Sequence, residues 1–281
     1  MKIVPVIFGA SGFVGRNLMK YLSEYNPIGI DKNNFKKEYK KFYKNFFKSD
    51  VFDLNSIPVE KNFYVINLMA ELGSPDQEKN IRNNLESTKY LYSIIKKTKR
   101  KCHGIVHFSS ISAVRGASYY GKTKMQAETI VRLEDIPYII LQSEIIIGSG
   151  ARSNEKIKRG LNLFPLISFL PRGGNVYRFP IDIKNVCETT RLILINNLFD
   201  NKTYHLVAKK TTMKEISKKY TNNFILSIPN FFLLLVAKIL EILFKKPMFT
   251  YDNAIGVCSD TQLKFKIINK DVLNKKINEK A

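Results

Sequence analysis

The stretch Gly9-Ala10-Ser11-Gly12-Phe13-Val14-Gly15 decides the fold of this chain. It follows a short apolar run, Lys2 to Phe8, and precedes a segment in which apolar residues recur at helical spacing. In such a turn the first glycine allows the tight change of direction, the second lets the backbone approach a pyrophosphate, and the third lets the helix pack on the strand. Free N–H groups at the helix N-terminus favour an anion there. The pattern predicts a dinucleotide site at Gly9, Ser11, Gly12, Phe13, Val14 and Gly15.

Asp31 ends a second strand-like run, Ile28-Gly29-Ile30, about 20 residues past the glycines. An acidic side chain at this place accepts hydrogen bonds from the adenosine ribose hydroxyls and repels a 2′-phosphate, which favours NAD over NADP. Arg16 and Lys32 leave NADP open as an alternative, because either could neutralise such a phosphate. The other interpretation of Asp31 is an ordinary turn residue.

The composition indicates a globular protein with an excess of positive charge. Its 281 residues suffice for one large α/β domain, or for such a domain with a small lobe. The net charge of +22 suggests attraction to anions. However, the lysines are spread along the whole chain, and no arginine-rich tract or nucleic-acid motif occurs. We therefore expect no nucleic-acid partner.

The cysteines and the first residues indicate a cytoplasmic protein. Cys102, Cys187 and Cys258 are odd in number, far apart, and form no Cys-x-x-Cys pair, which is typical of free thiols in a reducing compartment. The glycine turn starts too early to leave room for a signal peptide. The three histidines lack the spacing of metal ligands, so no metal site is expected.

Strands and helices alternate, which predicts an α/β fold of the Rossmann type: a doubly wound parallel sheet with a smaller C-terminal substrate lobe. Residues 1–148 and 176–208 are assigned to the NAD-binding domain, and residues 149–175 and 209–281 to the lobe. The predicted strands are Ile3–Phe8, Ile28–Ile30, Phe46–Lys48, Phe63–Leu68, Gly104–Phe108, Tyr138–Leu141 and Tyr204–Val207, and the predicted helices are Gly12–Tyr25, Asn80–Lys97, Gly121–Leu133 and Lys184–Asn196.

The segment from Ile228 to Phe244 is very apolar. It is too short to span a bilayer comfortably, and Lys238 and Glu241 interrupt it. The favoured interpretation is a helix that packs within the C-terminal lobe. The alternative is an interfacial helix lying on a membrane, with Lys245 and Lys246 beside it.

A second motif, Tyr120-Gly121-Lys122-Thr123-Lys124, places Tyr120 and Lys124 four residues apart on one helix face. Upstream, a buried strand ends in Ser109-Ser110-Ile111-Ser112, at the edge where a doubly wound sheet binds ligands. Tyr120 is the candidate general acid/base, Lys124 the cation that lowers its pKa, and Ser110 the group that orients the substrate oxygen. Lys124 is also a candidate to bind the nicotinamide ribose. Ser112 is the alternative serine and a candidate substrate contact.

These motifs, in this order, resemble the extended short-chain dehydrogenase/reductase family, in its NAD-dependent epimerase/dehydratase branch, from Lys2 to about Ala208. Ser110, Tyr120 and Lys124 match the catalytic triad of that family, and Asn84 to Thr88 is similar to one of its helices. The resemblance implies that adenine lies against Asp50 and Val51. It also implies further cofactor contacts at Lys32, Leu68, Met69, Ala70, Ser143 and Ile145.

The chain departs from the family pattern at two places. Gln142-Ser143 stands where the family usually has Arg-Pro, so substrate or loop geometry is expected to differ. Ile111 and Ser112 follow Ser110 where sugar-nucleotide 4,6-dehydratases have Thr-Asp-Glu, which disfavours dehydration.

The resemblance implies an NAD-dependent 4-epimerase or 4-keto reductase of nucleotide-activated sugars, in surface polysaccharide biosynthesis. Arg152 and Arg172, with Lys156 and Arg159, are candidates to hold the substrate diphosphate. One alternative is a non-catalytic dinucleotide-binding sensor or structural subunit, and another is a reductase of a hydrophobic carbonyl. The nucleotide sugar is the expected partner; the oligomeric state stays open, with a homodimer considered.

Overall fold

The computed structural model describes residues 3–33, 45–48, 53–57, 62–71, 76–116, 118–244, 247 and 249–278. Strands within these ranges are β1 Ile3–Phe8, β2 Ile28–Asp31, β3 Phe46–Lys48, β4 Asn62–Asn67, β5 Cys102–Ser110, β6 Tyr138–Ser143, β7 Ile146–Ile147, β8 Ile167–Pro171, β9 Tyr177–Arg178, β10 Ile181–Asp182, β11 Lys202–Leu206, β12 Thr211–Thr212, β13 Phe224–Ile228 and β14 Ile267–Ile268. The helices are α1 Phe13–Tyr21, α2 Gln77–Asn80, α3 Ser87–Lys97, α4 Ser112–Arg115, α5 Tyr119–Leu133, α6 Arg152–Leu161, α7 Ile183–Ile195, α8 Met213–Ser217, α9 Asn230–Leu243, α10 Tyr251–Cys258 and α11 Lys270–Asn278. A π-helical turn, Ile81–Glu86, joins α2 to α3.

Eight strands form one sheet in the order β14-β11-β6-β5-β4-β1-β2-β3. Each pair of neighbouring strands in this sheet is parallel. The strand order reverses between β1 and β4, and a crevice for a ligand opens at the carboxyl ends of the strands at such a point. The prediction of a Rossmann-type doubly wound parallel sheet is confirmed.

Helices cover both faces of this sheet, because the central strands are apolar along their whole length. All six residues of β1 are buried, and they divide between two cores. One core packs under α1, α7 and α11, and the other packs under α3 and α5. The carboxyl ends of β1 and β5 are thereby held in place at the crevice.

The last described strand, β14, is part of the large sheet, and the last described helix, α11, packs against it. β14 pairs with β11 in parallel, and Ile268 and Leu273 lie in the same core as β1. This differs from the predicted domain division, which assigned residues 209–281 to the lobe. A strand of two residues carries too little periodicity to be recognised in the sequence.

Smaller elements form the lobe beside the sheet. β8 pairs with β13 in parallel, and β9 pairs with β12 in antiparallel orientation. Beneath β8, α6 and α8 enclose a small core of Leu161, Leu170, Met213 and Ile216.

The apolar segment near the end of the lobe is the helix α9, and it packs against α10, as predicted. Ala237 is buried, whereas most of the large apolar side chains of α9 are exposed; Phe231 is 70% and Ile242 is 76% exposed. The predicted packing within the lobe therefore covers only part of α9 in the described chain. Among the described residues, no helix combines the length and apolarity needed to cross a membrane.

Candidate active site

The glycine turn between β1 and α1 has the geometry expected of a diphosphate site. Gly9 has φ +82°, and a Cβ at this position would lie 3.0 Å from the Leu68 carbonyl carbon. A Cβ on Gly15 would lie 2.5 Å from the Gly9 carbonyl oxygen, so the close packing of helix on turn requires glycine. Gly12 is the N-cap of α1, and among the described residues no side chain caps it. The first-turn N–H groups of Phe13 and Val14 are therefore left for an anion.

Asp31 lies at the carboxyl end of β2 and faces this turn. Its Oδ2 accepts hydrogen bonds from the Ser11 N–H (3.0 Å) and the Ser11 hydroxyl (2.8 Å), and its Oδ1 accepts one from the Asn33 N–H. A carboxylate held beside the glycine turn fits a ribose diol, because its oxygens have lone pairs to spare for further donors. Arg16, in the first turn of α1, donates to the Ser11 carbonyl oxygen at 3.4 Å.

The other predicted cofactor contacts lie at several places in the structure. Leu68 and Met69 follow β4 and border Gly9, and the exposed Ala70 follows them. Ser143 ends β6 directly beside Ser110, and Lys32 donates to Asn83 Oδ1 on the surface. Ile145 differs, since its side chain packs against the small core of the lobe. Asp50 and Val51 lie outside the described residues.

Tyr120 and Ser110 meet at the carboxyl end of β5. Ser118 caps α5 by accepting from the Gly121 N–H at 2.9 Å, which starts the helix one residue before Tyr120. The Ser110 side chain lies close enough to the Tyr120 hydroxyl to influence its pKa. Burial of the phenol raises the pKa of Tyr120 to about 12, although the interaction with Ser110 opposes this shift. The net shift of this pKa is thus upward, whereas the position of Lys124 predicts a lowered pKa.

Lys124 lies one helical turn beyond Tyr120 and is 1% exposed. Its Nζ donates to the Phe108 carbonyl oxygen at 2.7 Å, which directs the amine toward the carboxyl end of β5. Burial lowers the pKa of Lys124 to about 8, and the nearby Glu128 carboxylate opposes this effect. Lys124 is therefore still largely protonated at neutral pH.

A buried polar network holds α5 against the sheet below these residues. The Glu128 carboxylate accepts hydrogen bonds from the Ser109 hydroxyl, from Gln142 Nε2 (2.8 Å) and from Arg132 Nη2 (2.7 Å). Gln142, which stands where the family usually has arginine, thus connects β6 to α5. On the other side of α5, Asn84 Nδ2 donates to the Thr123 hydroxyl at 2.9 Å. These bonds determine the position of Tyr120 and Lys124.

A cleft opens beside Tyr120, between α4, α5 and α10. Asp252 Oδ2 lies 3.5 Å from the Tyr120 backbone nitrogen, and burial raises the pKa of this carboxyl. Arg115 reaches across the cleft to the Thr261 hydroxyl at 3.0 Å. The residues lining the cleft are Ser112, Arg115, Ser118, Asp252, Ile255 and Gly256.

α10 is anchored over this cleft by one buried arginine. Arg178 is 3% exposed and donates to the carbonyl oxygens of Gly256, Val257 and Ser259 at 2.6–2.8 Å. Its Nε also lies 3.7 Å from a carboxylate oxygen of Glu144. The guanidinium thus satisfies the last carbonyls of α10, where a cation is favoured.

The structure brings together some of the predicted site residues and leaves others apart. Ser110, Ser112, Tyr120 and Lys124 lie at one place, as predicted. Arg172 forms an exposed ion pair with Asp260 (3.0 Å) outside the cleft lining, and the side chain of Arg152 is outside the described part.

Arg115 and Asp252 line the cleft and were missed by sequence reasoning. Arg115 follows Ser112 by three residues, so its place between the serine and tyrosine motifs was a usable signal. Asp252 lies 132 residues beyond Tyr120, and no local pattern connects the two.

Comparison with known proteins identifies the family of the chain. A family model described as the NAD dependent epimerase/dehydratase family matches residues 6–161, which is more than half of the chain. The chain belongs to this family. The resemblance inferred from the sequence is thereby confirmed, and so is the prediction of an epimerase-type enzyme that uses NAD, at the level of the family. No curated protein matches the chain in a sequence search.

Several solved structures share the fold. A UDP-glucuronic acid 4-epimerase from Bacillus cereus, in complex with NAD, is 19% identical, with 92% of this chain and 95% of that chain covered and a TM-score of 0.62. A UDP-N-acetylglucosamine 4-epimerase from the same organism is 17% identical, with coverages of 81% and 85% and a TM-score of 0.61. The human epimerase family protein SDR39U1, with NADPH, is 15% identical, with coverages of 97% and 93% and a TM-score of 0.66.

Proposed function

We propose that this protein is an NAD-dependent 4-epimerase or 4-keto reductase of nucleotide-activated sugars, acting in surface polysaccharide biosynthesis. One observation carries the proposal. Tyr120 interacts with Ser110 at the sheet edge, with Lys124 buried one turn away, beside a cleft that is lined by Arg115 and Asp252. Solved relatives of the same fold are 4-epimerases of UDP-sugars, which supports this class of substrate.

The glycine turn and Asp31 would hold NAD. The uncapped N-terminus of α1 favours its diphosphate, and the Asp31 carboxylate favours an unmodified ribose over a 2′-phosphate. When bound, NAD supplies hydride transfer. If NADPH bound about tenfold more tightly than NADH, a difference of about 1.4 kcal/mol, the role given to Asp31 would be wrong.

Tyr120 moves the proton of the substrate oxygen, and Ser110 orients that oxygen. Because the pKa of Tyr120 is raised to about 12, its hydroxyl is a proton donor in the free protein. Taking a proton from a sugar hydroxyl requires the phenolate, which a cation nearby stabilises. Lys124, protonated at neutral pH, is the buried cation one helical turn away. For this role, the Lys124 amine must exchange its hydrogen bond to the Phe108 carbonyl oxygen for an interaction with Tyr120.

The cleft residues are suited to the rest of the substrate. Arg115 has a planar guanidinium that can bind a diphosphate with two hydrogen bonds. Asp252 can accept hydrogen bonds from sugar hydroxyls, and it disfavours a sugar that carries a carboxylate near Tyr120. These two residues replace Arg152 and Arg172 as the first candidates for substrate binding, while Ser112 keeps its place.

Turnover assays with a panel of UDP-, dTDP- and GDP-sugars test the proposal, with mass spectrometry of the nucleotide that co-purifies. Tightly held NAD with interconversion of 4-epimers indicates an epimerase, and an empty site with reduction of a 4-keto sugar indicates a reductase. Thermal shifts with UDP, dTDP and GDP identify the base, since a bound nucleotide stabilises the fold. Absence of turnover on every sugar, in a protein that binds NAD, would contradict the proposal.

A second candidate is a non-catalytic dinucleotide-binding protein. It is favoured by the bond between Lys124 and the Phe108 carbonyl and by the raised pKa of Tyr120, because the amine then points at a strand and the phenol keeps its proton at neutral pH. The same assays separate the two, since a sensor binds NAD without converting a sugar.

A further inference from the structure

Two neighbouring segments of the lobe expose an unusual amount of apolar surface. Of the exposed large apolar side chains in the described part of the chain, 14 lie within residues 163–169 and 224–244, while 11 are scattered over everything else. Scattered apolar side chains are ordinary on a protein surface, but a concentration of this kind marks a binding surface. We call residues 163–169 and 224–244 the apolar surface.

Within α9 the side that faces solvent is apolar, as is the side that packs in the lobe. Phe231, Phe232, Leu235, Ile239, Ile242 and Leu243 are all exposed, and Lys238 is the charged residue among them. A helix packed on a protein core shows the opposite pattern, with its polar side exposed.

The strands β8 and β13 also expose apolar side chains. Ile167 pairs with Phe224 and Phe169 pairs with Leu226, and all four side chains are exposed on one face of the two-stranded sheet. The opposite face packs on the small core of the lobe through Leu170. β13 leads into α9 through Pro229 alone, so the sheet face and the helix are continuous along the chain.

The loop before β8 is held in a definite shape that presents apolar side chains. Asn223 Nδ2 donates to the carbonyl oxygens of Leu161, Phe164 and Ile167. Leu166 has φ +67° and is 79% exposed, so a strained backbone displays this side chain to solvent.

Positive charge surrounds this loop. Asn162 Oδ1 accepts from the Thr221 hydroxyl, which brings the chain after Lys158 and Arg159 next to the chain after Lys218 and Lys219. All four cations are exposed. Across residues 149–175 and 209–244 there are 11 Lys and Arg but only 3 Glu.

We propose that the apolar surface binds the anionic face of a lipid bilayer, with α9 lying along the interface. The 14 residues of α9 span about 21 Å, less than the hydrocarbon thickness of about 30 Å, which fits a helix that lies on a membrane. Exposed cations beside apolar side chains match anionic headgroups above acyl chains. A second copy of this chain fits less well, because a net charge of +22 makes two copies repel. This goes beyond the proposed function and does not depend on it.

Co-sedimentation with vesicles tests the proposal. The protein is expected to pellet with vesicles of phosphatidylcholine and phosphatidylglycerol, weakly with phosphatidylcholine alone, and less at high salt. The double variant Ile242→Ser/Leu243→Ser is expected to weaken binding about tenfold or more. Both positions are exposed, so the fold is retained, as circular dichroism will check. Leu133→Ser, at an equally exposed leucine of α5, is the matched control and is expected to bind like the native protein.

A second variant tests the contribution of charge. Lys218→Glu/Lys219→Glu is expected to abolish the preference for anionic vesicles. The proposal is overturned if Ile242→Ser/Leu243→Ser binds vesicles as well as Leu133→Ser does, or if neutral and anionic vesicles bind equally. It is also overturned if light scattering shows a dimer that Ile242→Ser/Leu243→Ser splits while no vesicle binding occurs.

Discussion

At the scale of single residues, Tyr120 differs from its neighbour Tyr119 in its surroundings. Tyr120 interacts with Ser110, whereas the side chain of Tyr119 is exposed. Tyr120→Phe removes only the hydroxyl, so we expect turnover to fall about 10²–10⁴-fold with little change in stability or NAD binding. The measurement is turnover on the accepted nucleotide sugar, with NAD titration alongside.

Tyr119→Phe is the matched control, since it makes the same chemical change one residue away. It is expected to leave turnover near the native value. Near-native turnover in Tyr120→Phe would remove the acid/base role from Tyr120 and assign the proton transfer to another group.

Lys124 gives a prediction about stability and pH. Its pKa is lowered from 10.5 to about 8 in the folded chain. Between these values the unfolded state binds more protons, so the free energy of unfolding rises as pH increases, by up to about 1.4 kcal/mol per unit. We therefore expect the native protein to gain stability relative to Lys124→Met between pH 8 and 10.5, and to show a constant difference below pH 8.

Urea unfolding at a series of pH values measures this difference by far-UV circular dichroism, because the chain has no tryptophan. Lys122→Met, at an exposed lysine on the same helix, is the matched control. A pH-independent difference for Lys124→Met would show that Lys124 is not desolvated.

The residues of the site that the sequence could predict are those whose partners are close along the chain. Ser110, Tyr120 and Lys124 fall within 15 residues and follow a buried strand, so spacing alone brings them together. Arg115 and Asp252 form the cleft only after α10 returns to the sheet edge, and contacts over such a separation leave no periodic signal.

At the scale of elements, the glycine turn separates the requirements of folding from those of binding. A Cβ on Gly12 would meet only the Gly9 carbonyl oxygen, at 3.2 Å, and Gly12 is exposed. A Cβ on Gly15 would lie 2.5 Å from backbone. We expect Gly12→Val to fold and lose NAD binding, and Gly15→Val to unfold. Isothermal titration with NAD and far-UV circular dichroism distinguish the two, and NAD binding by Gly12→Val would place the dinucleotide elsewhere.

The anchoring of α10 by Arg178 is a second property of an element. Arg178→Met leaves the Glu144 carboxylate and the last carbonyls of α10 without their buried partner. Loss of one member of a buried ion pair costs about 3–5 kcal/mol, measured as a change in the free energy of unfolding. Arg172→Met is the matched control, because its exposed ion pair with Asp260 contributes at most about 1 kcal/mol. Equal losses in the two variants would show that Arg178 does not anchor α10.

α9 shows where prediction from the sequence stops at this scale. Its apolar composition and Pro229 were enough to predict a helix close to the observed bounds, Asn230–Leu243. The sequence does not say whether an apolar side is covered, because covering depends on the surface available in the rest of the fold. The lobe offers α10 as a neighbour, and it leaves the outer side of α9 exposed.

For the whole molecule, the parallel sheet followed from alternation, since strands separated by helices must run parallel and be buried on both faces. The edge strand β14 could not be predicted from this alternation, because it has two residues and follows the lobe in the sequence. Both polar and apolar contacts attach β14 and its flanking residues to β11. The Lys264 N–H donates to His205 Nε2 at 2.8 Å, and Asn269 Nδ2 donates to the Val207 carbonyl at 2.9 Å.

The last helix therefore stabilises the nucleotide domain rather than a separate lobe. Leu273 is 3% exposed within the core that also contains Ile7 and Leu18. Leu273→Ala is expected to lower the free energy of unfolding by about 2–5 kcal/mol, through lost burial and a cavity. Ile267→Ala, at a 39% exposed position of β14, is the control and should lower the free energy of unfolding far less.

Urea unfolding followed by circular dichroism, with and without NAD, measures the stability of both variants. If an early transition appears in Leu273→Ala while the NAD-stabilised transition stays at its native midpoint, the C-terminal segment folds apart from the sheet. One transition, shifted as a whole, means that the end of the chain and the NAD site belong to one cooperative unit.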